Sequence, residues 1–403
     1  MLAQNTIEHV IDSQKERYNQ LETGLERVMK SPERLRKFAL IITGVRRCGK
    51  STLMQQINKS LAGNTMYVNF EDPRLAGFDL SDFNRLHSIS RERETGIFLF
   101  DEIQIIDKWE NFVRFALDEG YRVFITGSNA KMLSIELGTK LTGRHITREL
   151  FPFSYAEYLS FTGEKRGPES ADSYMLRGGF PEMLKTDEPE VLMRLFQDIL
   201  IRDVAVRHGI RNTSSLQQLA VWLISNIGKP VTGNSLKKIF DIGSSSSIMD
   251  YISYFSDAYL FFFVPVFSFS QKVQMVNAKK VYTIDTGLIR VNSRSFTSDD
   301  GRVLENMVFL QLRRLYLEIF YFRQKKECDF IVCEKGKPVA IIQVCMDLSS
   351  DNLEREMAGI REAMEFFKMN KGIIITHNQE DIFTFRDQTV KVLPFNKWAL
   401  GEM

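Results

Sequence analysis

The fold of this chain is decided by Gly44-Val45-Arg46-Arg47-Cys48-Gly49-Lys50-Ser51-Thr52. An apolar run from Phe38 to Thr43 comes before it and is typical of a buried parallel strand. Apolar side chains at helical spacing follow it from Leu53 to Leu61. In this context the glycines let the backbone wrap an anion, and the helix N-terminus presents free N–H groups. We therefore predict that the whole stretch binds the phosphates of a nucleoside triphosphate.

Charged and hydroxyl side chains in and after this loop predict how ATP and Mg²⁺ are held. Lys50 should neutralise β- and γ-phosphate oxygens, and the Ser51 hydroxyl should bind Mg²⁺. A second apolar strand, Ile97 to Phe100, ends in Asp101 and Glu102. We expect Asp101 to hold Mg²⁺ through water or Ser51, and Glu102 to polarise the attacking water. An acidic cap on a following helix would explain the same pair.

Two further polar positions follow strand-like runs. The run from Tyr121 to Thr126 precedes Gly127 and the pair Ser128-Asn129, whose side chains could touch the γ-phosphate and orient water. Turn chemistry alone also selects such residues. Arg144 lies on a turn before a fourth strand-like run, Ile146 to Leu150. It is either an arginine finger reaching a neighbouring subunit or a solvated turn residue.

The remaining side chains of the loop leave alternatives open. Cys48 lies near Lys50 and a helix N-terminus, and both should lower the pKa of its thiol. It is therefore either a redox-sensitive residue of the ATP site or a small filler. Arg46 and Arg47 are interpreted as phosphate or lid contacts, with solvated charges as the alternative.

Eight strings of residues carry a family resemblance. They are Thr43-Gly44-Val45-Arg46-Arg47 with Gly49-Lys50-Ser51, Asp101-Glu102-Ile103-Gln104, Thr126-Gly127-Ser128-Asn129, Leu141-Thr142-Gly143-Arg144, Pro152-Phe153-Ser154, Gly178-Gly179-Phe180-Pro181, Tyr282-Thr283-Ile284-Asp285-Thr286-Gly287 and Glu305-Asn306. Over roughly Arg34 to Thr376 the chain resembles the bacterial and archaeal AAA-type ATPases that carry a C-terminal domain of unknown function. The resemblance implies the strand order of additional-strand P-loop ATPases, Glu102 as catalytic base, and Ser128 or Asn129 as sensor.

Composition narrows the class of protein. The chain has 403 residues, 44% of them hydrophobic, and a net charge of +2, so any basic surface must be local. Its four cysteines form no C-x-x-C pair, and we expect neither a zinc site nor disulfides. The N-terminus lacks a signal-peptide core, and the apolar run from Tyr259 to Phe269 is too short to span a bilayer. We expect a cytoplasmic protein without membrane association.

The expected fold is α/β, with a three-layer P-loop AAA-type core, a helical lid, a winged-helix-like middle domain and an α/β nuclease-like C-terminal domain. The predicted boundaries are 1–33 for an N-terminal helix, 34–150 for the ATPase core, 151–210 for the lid, 211–270 for the winged-helix-like domain, and 271–403 for a linker and the nuclease-like domain. The resemblance implies the helical lid, with Arg177, which precedes two glycines, as a candidate for sensing nucleotide.

The middle segment has three apolar helical stripes and a β-rich run, which resembles a winged helix. The serines from 244 to 247 would begin the recognition helix, where hydroxyls can bind phosphates or cap the helix. Lys237, Lys238 and Lys272 are balanced by nearby aspartates, and DNA affinity depends on phosphate neutralisation. Contact with DNA and a packing or partner-docking role both stay open.

The C-terminal segment resembles the restriction-nuclease-like fold, whose metal site uses an acid on the first helix, an Asp on one strand and an acid-x-Lys on the next. Glu305 and Asp329 match the first two elements. The third element reads Gln343-Val344-Cys345, and its alternate residues share a strand face. With a carboxylate and the lysine missing, we expect a degenerate scaffold without nuclease activity.

These observations predict an ATPase, converting ATP and water to ADP and phosphate, that acts as a switch or motor on a partner. Nucleic acid is a candidate partner, and a homo-oligomer would fit an arginine finger. The alternative is a DNA- or protein-binding module whose ATP site regulates binding without turnover.

Overall fold

The computed structural model describes residues 1–27, 37–130, 135–240, 245–295 and 299–402. It divides into two compact units, Met1–Leu150 and Phe151–Met403. The predicted boundary between residues 33 and 34 lies outside the described residues. The helices and strands of the first unit are α1 Gln4–Gln20, β1 Ala39–Thr43, α2 Lys50–Ser60, β2 Thr65–Asn69, α3 Asp82–Glu92, β3 Ile97–Asp101, α4 Trp109–Asp118, β4 Arg122–Gly127, α5 Ile135–Lys140 and β5 His145–Glu149.

The sheet of the first unit has five parallel strands in the order β2-β3-β4-β1-β5. Strands β1 and β3 are buried along their whole length, which explains their unbroken apolar sequences. Strand β4 lies between β1, which leads into the loop, and β3, which ends in the acid pair. This is the strand order that the family resemblance implied. It brings the residues after β1, β3 and β4 to one edge of the sheet.

Helices cover both faces of this sheet. On one face Phe98 and Phe100 belong to a buried core with Phe83 of α3 and Phe112 of α4. The rings of Phe83 and Phe112 are stacked, with centroids 4.5 Å apart. Side chains along a strand point to opposite faces in turn, so the neighbours of Phe98 and Phe100 point to the other face of the sheet. The apolar side of α2 is buried there. The result is the predicted three-layer arrangement.

The N-terminal helix is shorter than the segment of residues 1–33 predicted for it. Helix α1 ends at Gln20, and Leu21 adopts extended backbone angles. The stretch from Leu21 to Leu25 is not helical because α2 holds it with two side-chain amides. Gln55 donates to the carbonyls of Tyr18 and Leu21, and Gln56 donates to those of Thr23 and Leu25. Val28 and Met29, which were included in the predicted helix, lie outside the described residues.

The second unit begins with a set of helices and continues into two sheets. Its elements are α6 Tyr155–Thr162, α7 Pro168–Arg177, α8 Pro181–Thr186, α9 Glu190–Asp198, a π-helical stretch Ile199–Val206, α10 Thr213–Ile224, β6 Pro230–Val231, α11 Gly233–Phe240, α12 Ser245–Asp257, β7 Phe261–Pro265, α13 Gln271–Val276, β8 Lys279–Thr283, α14 Thr286–Asn292, α15 Asp300–Leu315, β9 Glu318–Arg323, β10 Glu327–Glu334, β11 Lys337–Val344, α16 Leu353–Phe367, β12 Lys371–Thr376, β13 Asp381–Phe385, β14 Gln388–Pro394 and α17 Phe395–Trp398. Across the described parts of both units, none of the helices has the length and apolar character needed to cross a bilayer.

The smaller sheet of this unit is antiparallel, with the order β6-β8-β7. It accompanies helices α10, α11 and α12, as the three predicted helical stripes and β-rich run indicated. Strand β7 pairs with β8 through Phe261↔Thr283 to Pro265↔Lys279, so the predicted boundary after residue 270 falls inside a hairpin. Ser244, the first of the serines expected to begin the third helix, lies outside the described residues.

The larger sheet has six strands in the order β13-β14-β12-β11-β10-β9. Helix α15 leads into the antiparallel strands β9, β10 and β11, and α16 then crosses to β12, which is parallel to β11. Strands β9, β10 and β11 correspond to the three segments that the sequence predicts as strands, Ile319 to Phe322, Cys328 to Val332 and Val339 to Cys345. Strands β12, β13 and β14 were not predicted. Buried residues of α16, among them Ile360 and Met364, pack on this sheet.

Two of the strings that carry the resemblance meet where α7 ends. Gly178 has a φ of 71°, and a Cβ there would lie 2.1 Å from Oδ1 of Asp285. The N–H of Gly179 donates to Oδ2 of Asp285 at 2.6 Å. The guanidinium of Arg177 pairs with Asp187 at 2.9 Å. The packing of α7 against the start of α14 therefore requires glycine at position 178, whereas a Cβ at Gly179 would lie 2.2 Å from the carbonyl oxygen of Phe153.

Candidate nucleotide-binding site

The lysine of the loop is buried at the edge where the strands of the first sheet end. Lys50 is only 5% exposed, and its ammonium donates to the carbonyls of Gly44 at 3.2 Å and Val45 at 3.1 Å. The same ammonium lies 3.5 Å from Oε1 of Glu102. The sequence brings these groups together because β1 and β3 end at the same edge. A cation and an acid therefore face one another beside the start of α2.

Steric constraints require glycine at both glycine positions of the loop, 44 and 49. A Cβ at Gly44 would lie 2.1 Å from the carbonyl oxygen of Leu150, whose N–H pairs with Thr43. Gly49 has a φ of 100°, which residues with a side chain rarely adopt. It immediately precedes the first turn of α2, whose N–H groups are available to an anion. Substitution at either glycine would distort the loop.

Asp101 is held by three hydroxyl groups. It is 2% exposed and accepts hydrogen bonds from Tyr67, at 2.8 Å, and from Thr126 and Ser51. Burial, and after it the charge of Glu102, raises the pKa of Asp101. Ser51 and Asp101 place a hydroxyl and a carboxylate oxygen side by side, and Mg²⁺ prefers oxygen ligands. This pair therefore fits the predicted metal, as a candidate site.

Glu102 turns its side chain toward the loop. Its φ is 54°, and it makes no side-chain cap bond to the short 3₁₀ turn that follows. Its carboxylate accepts hydrogen bonds from the N–H of Ser128 at 3.2 Å and from the amide of Gln104. Burial works against the charged form, but Lys50 and then Gln104 outweigh it, so the pKa of Glu102 lies below its usual value. The carboxylate is ionised and oriented, as a base for water must be.

The polar pair after β4 lies at the same edge. Ser128 is 2% exposed, and its N–H is the group that contacts Glu102. The carbonyl of Asn129 accepts a hydrogen bond from the hydroxyl of Thr43, at 2.9 Å. These bonds tie the end of β4 to both β1 and the acid pair. Both residues therefore lie at the edge of the sheet that also holds Lys50 and Glu102.

The expectation that Cys48 has a lowered pKa is wrong. Cys48 is fully buried, and its thiol contacts the carbonyl of Leu150 at 3.3 Å. Burial raises the pKa of this thiol, and the nearby charges of Lys50 and Arg27 do not offset the effect. Desolvation of the buried thiol is the larger effect, and a sequence shows charges but not burial. The filler interpretation fits, because a buried neutral thiol is inert.

The other loop residues have different surroundings. Arg46 forms an ion pair with Glu71, at 2.9 Å. Arg47 is exposed and has a φ of 63°. Val45 is fully buried, and Thr52 is half-buried in the first turn of α2. The structure therefore gives Arg46 a partner within the unit and directs Arg47 to the surface.

Arg144 lies at the opposite edge of the sheet. It directly precedes β5, and its carbonyl accepts a hydrogen bond from the N–H of Ala39, the first residue of β1. Its guanidinium pairs with Asp118 at 2.6 Å. The length of a five-residue strand, about 15 Å, separates this edge from the loop. Arg144 is therefore not part of the site in its own subunit.

Sequence reasoning missed two aromatic residues at the site. Tyr67 of β2 donates to Asp101, and its ring stacks on that of Tyr18 with centroids 3.9 Å apart. Tyr18 belongs to α1, so the N-terminal helix contacts the ring that orients the acid. The signal was weak because β2 is a short strand that was not predicted. The contact of Thr126 with Asp101 was missed for a different reason. Thr126 is an ordinary strand residue before a turn, and no sequence pattern distinguishes it from other strand threonines.

Three sequence profiles match this chain in succession. A profile described as an AAA domain matches residues 36–159. A domain of unknown function, DUF8612, matches residues 168–298, and a second, DUF4143, matches residues 300–398. The first profile covers the loop, both acids and the polar pair after β4.

Similar proteins occur in an archaeon and a bacterium. Uncharacterized protein MJ1544 of Methanocaldococcus jannaschii is 36% identical over 392 residues, covering 89% of this chain and 88% of the relative. An uncharacterized protein of Haemophilus influenzae is 30% identical over 342 residues, covering 79% and 85%. The solved structure of C. elegans PCH-2 matches with 14% identity and a TM-score of 0.24, covering 54% of this chain and 61% of that one. At that TM-score the likeness to PCH-2 carries no argument.

Proposed function

Because this chain belongs to the family of archaeal and bacterial proteins that join an AAA-type ATP-binding domain to two domains of unknown function, we propose that it is an Mg²⁺-dependent ATP hydrolase. The hydrolase would act as a switch or motor on a partner. The observation that carries the proposal is the meeting of Lys50 and Glu102 beside the pair Ser51 and Asp101, all at one edge of the parallel sheet.

Each residue has a task that its surroundings support. Lys50 would exchange its bonds to the loop carbonyls for bonds to phosphate oxygens, since charged oxygens are the stronger acceptors. Ser51 and Asp101 would hold Mg²⁺, which neutralises phosphate charge when bound. Glu102 would accept a hydrogen bond from the attacking water, and its low pKa keeps it able to do so. Ser128 and Asn129 would contact the γ-phosphate.

The contacts of Glu102 also explain why an acid pair is needed rather than one acid. Asp101 uses its two oxygens for Tyr67 and Thr126, together with its bond to Ser51. It is therefore committed to the side of the site where the metal would bind. Glu102 has one oxygen toward Lys50 and the other toward Ser128. In a nucleotide-bound protein, Asp101 would therefore face the metal and Glu102 would face the attacking water.

A second candidate is a binding module that ATP regulates without turnover. The order α10, β6, α11, α12, β7 and β8, with the sheet order β6-β8-β7, supports a winged-helix-like module. Helix α12 carries Asp250 and Asp257 and neither lysine nor arginine. Phosphate neutralisation dominates DNA affinity, so this charge disfavours DNA as the ligand of α12. We therefore propose a protein partner for this module before a nucleic acid.

The location and assembly of the protein are part of the same proposal. All four cysteines are buried and free, which supports the reducing cytoplasm as the compartment. Arg144 lies far from the loop of its own subunit, so a catalytic role for it requires a homo-oligomer. Neither point is needed for ATP hydrolysis to be tested.

The deciding experiment is phosphate release by the purified protein. We expect turnover in Mg²⁺ and ATP that stops when EDTA removes the metal. The same assay with and without duplex DNA distinguishes partners, since a DNA-activated enzyme would be faster with DNA. Tight ATP binding with no phosphate release above the rate of a Lys50→Ala control would favour the regulated binding module instead. Failure to bind ATP at all would remove both candidates.

A further inference from the structure

A single ammonium in the second unit is surrounded by three carboxylates. Lys280 of β8 is 2% exposed. Its Nζ lies 2.8 Å from Oδ1 of Asp329, 2.9 Å from Oε1 of Glu327 and 3.1 Å from Oε1 of Glu305. The hydroxyl of Tyr282 also donates to Glu305, at 2.6 Å. Helix α15 and strands β8 and β10 therefore meet at one buried cation.

Two of these acids are the residues that match the nuclease-like metal site. A divalent cation there would have to lie between the oxygens of Glu305 and Asp329. That is where Nζ of Lys280 lies, in hydrogen-bond contact with both. Oδ2 of Asp329 is also engaged, because it accepts a hydrogen bond from the N–H of Val344 at 3.0 Å. In the described parts of the chain, no group of three His, Cys, Asp or Glu side chains is arranged to hold a metal ion.

The third element of that site has changed its role as well. Gln343 accepts a hydrogen bond from the N–H of Asp329 at 3.2 Å and donates to Glu356 at 2.7 Å. Glu356 also pairs with Arg355, at 2.6 Å. Gln343 thus supports the backbone of Asp329 instead of binding a cation. The residues present do not fit a resident metal ion.

We propose that Lys280 is a built-in replacement for the divalent cation of the nuclease-like site. Its ammonium neutralises the carboxylates that a metal would neutralise, and it joins the β7–β8 hairpin to α15 and β10. A catalytic lysine would lie beside the metal, whereas Lys280 bridges the two acids themselves. A second cation in this place would meet a positive charge at hydrogen-bond distance, which is strongly unfavourable in a buried site.

The charge balance of the cluster agrees with this role. One ammonium faces three acids, of which Glu305 and Asp329 are more buried than Glu327. Without the ammonium, the two most buried acids, Glu305 and Asp329, would repel one another with no compensation. The cluster would then either open or take up a cation from solution.

The test is to remove the ammonium and supply a metal. We expect Lys280→Ala to lower the thermal midpoint by about 10 °C in EDTA, because the carboxylates lose their partner. Millimolar Mn²⁺ should restore a large part of that loss. The midpoint of the wild type and of Lys279→Ala, a change at the neighbouring residue of β8, should not respond to Mn²⁺ in this way. A Lys280→Ala protein that is as stable as the wild type, or that Mn²⁺ fails to stabilise, would overturn the proposal.

Direct binding gives an independent reading that does not need the alanine variant to fold. Mn²⁺ bound per chain, without nucleotide, is counted by electron paramagnetic resonance for the wild type and for Asp329→Asn. We expect equal counts, because the cluster of the wild type takes no metal. A site that the wild type has and Asp329→Asn lacks would show that Lys280 does not replace the ion. Where Lys280→Ala is soluble, it should gain one site, and the addition of Asp329→Asn should remove it.

Discussion

The ammonium of Lys50 and the carboxylate of Glu102 lie 3.5 Å apart, each held by further bonds to the backbone. Lys50 is fixed by the carbonyls of the loop, and Glu102 by the N–H of Ser128. This contact places the group that would bind phosphate beside the group that would direct water. Substitutions at the two positions should therefore have different effects, the first on affinity and the second on turnover.

Glu102→Gln should bind ATP with little change and hydrolyse it about 100-fold more slowly or worse. An amide retains hydrogen bonds to Ser128 but polarises water far less than a carboxylate. Calorimetric ATP binding and phosphate release measure the two effects separately. The same substitution at exposed Glu92 of α3 is the control and should leave both unchanged. Equal turnover in Glu102→Gln and the wild type would exclude Glu102 as the base.

Lys50→Ala should weaken ATP binding by about 10- to 100-fold, because charge-assisted bonds to phosphate are lost. Lys59→Ala is a matched control, since it removes a lysine from the exposed last turn of the same helix. Isothermal titration calorimetry checks both variants. An unchanged affinity of Lys50→Ala for ATP would show that the loop is not the phosphate-binding site.

Arg144→Ala should lose most turnover, about 10³-fold, while keeping ATP affinity, provided that the side chain acts on a neighbouring subunit. In that case, turnover per subunit should rise with protein concentration. Mixing Arg144→Ala with Lys50→Ala should restore some activity, because the second protein supplies the missing guanidinium. Arg148→Ala, at an exposed arginine of β5, the strand that Arg144 directly precedes, is the control. Turnover independent of concentration, without rescue on mixing, would leave the pair with Asp118 as the role of Arg144.

Tyr67→Phe should raise the Mg²⁺ concentration needed for half-maximal turnover by about 10-fold, because Asp101 loses a hydrogen bond that orients it. Affinity for metal-free ATP should stay the same. Tyr18→Phe is the matched control, since it keeps the stacked ring and removes a hydroxyl that has no hydrogen-bond partner among the described residues. If both variants need the same raised Mg²⁺ concentration for half-maximal turnover, the cause is altered packing of the two rings and not the lost hydrogen bond to Asp101.

Titration of the Asp285 carboxyl should lower the free energy of unfolding of the second unit as pH rises. Burial raises the pKa of Asp285 to about 7, so the folded chain binds a proton that the unfolded chain has released. Its contribution is complete below about pH 4 and is lost as pH rises through about 7, by up to about 1.4 kcal/mol per pH unit. Glu305 titrates in the same window, so the comparison needs a variant.

Asp285→Asn isolates this contribution, because asparagine does not titrate and keeps one oxygen that can accept a hydrogen bond from the N–H of Gly179. Denaturant unfolding between pH 4.5 and 7.5 should show a shallower fall in stability for this variant than for the wild type. Asp187→Asn, at an exposed position, should follow the wild type. Parallel curves for all three proteins would show that Asp285 is ionised throughout.

Much of the first unit was predictable because its signals are local. Parallel strands buried on both faces are apolar without interruption, and the loop glycines are required by Leu150 and by a positive φ. The acid pair followed from its place after such a strand. Where the sequence reasoning failed, the cause was an interaction over distance. The N-terminal helix ends early because Gln55 and Gln56 of α2 bind the next residues.

The carboxylate cluster shows the same limit in the second unit. Glu305 and Asp329 could be identified as a pair from the sequence, and the loss of the third acid could be read directly. The replacement by Lys280 could not, since 49 residues separate it from Asp329 and it lies on a different sheet. A lysine in a strand carries no local sign that it will be buried. Only the fold brings it to the acids.

The contact between Tyr18 and Tyr67 has a practical consequence for work with fragments of this protein. The AAA profile begins at residue 36, but α1 lies against β2, an edge strand of the sheet, where Gln14 exchanges two hydrogen bonds with the backbone of Asn69. A fragment cut at residue 36 would uncover that edge and the ring that orients Asp101. Bare strand edges pair with other chains. Such a fragment would aggregate and would understate the ATP turnover that we propose for the intact protein, so the chain should be expressed with α1 included.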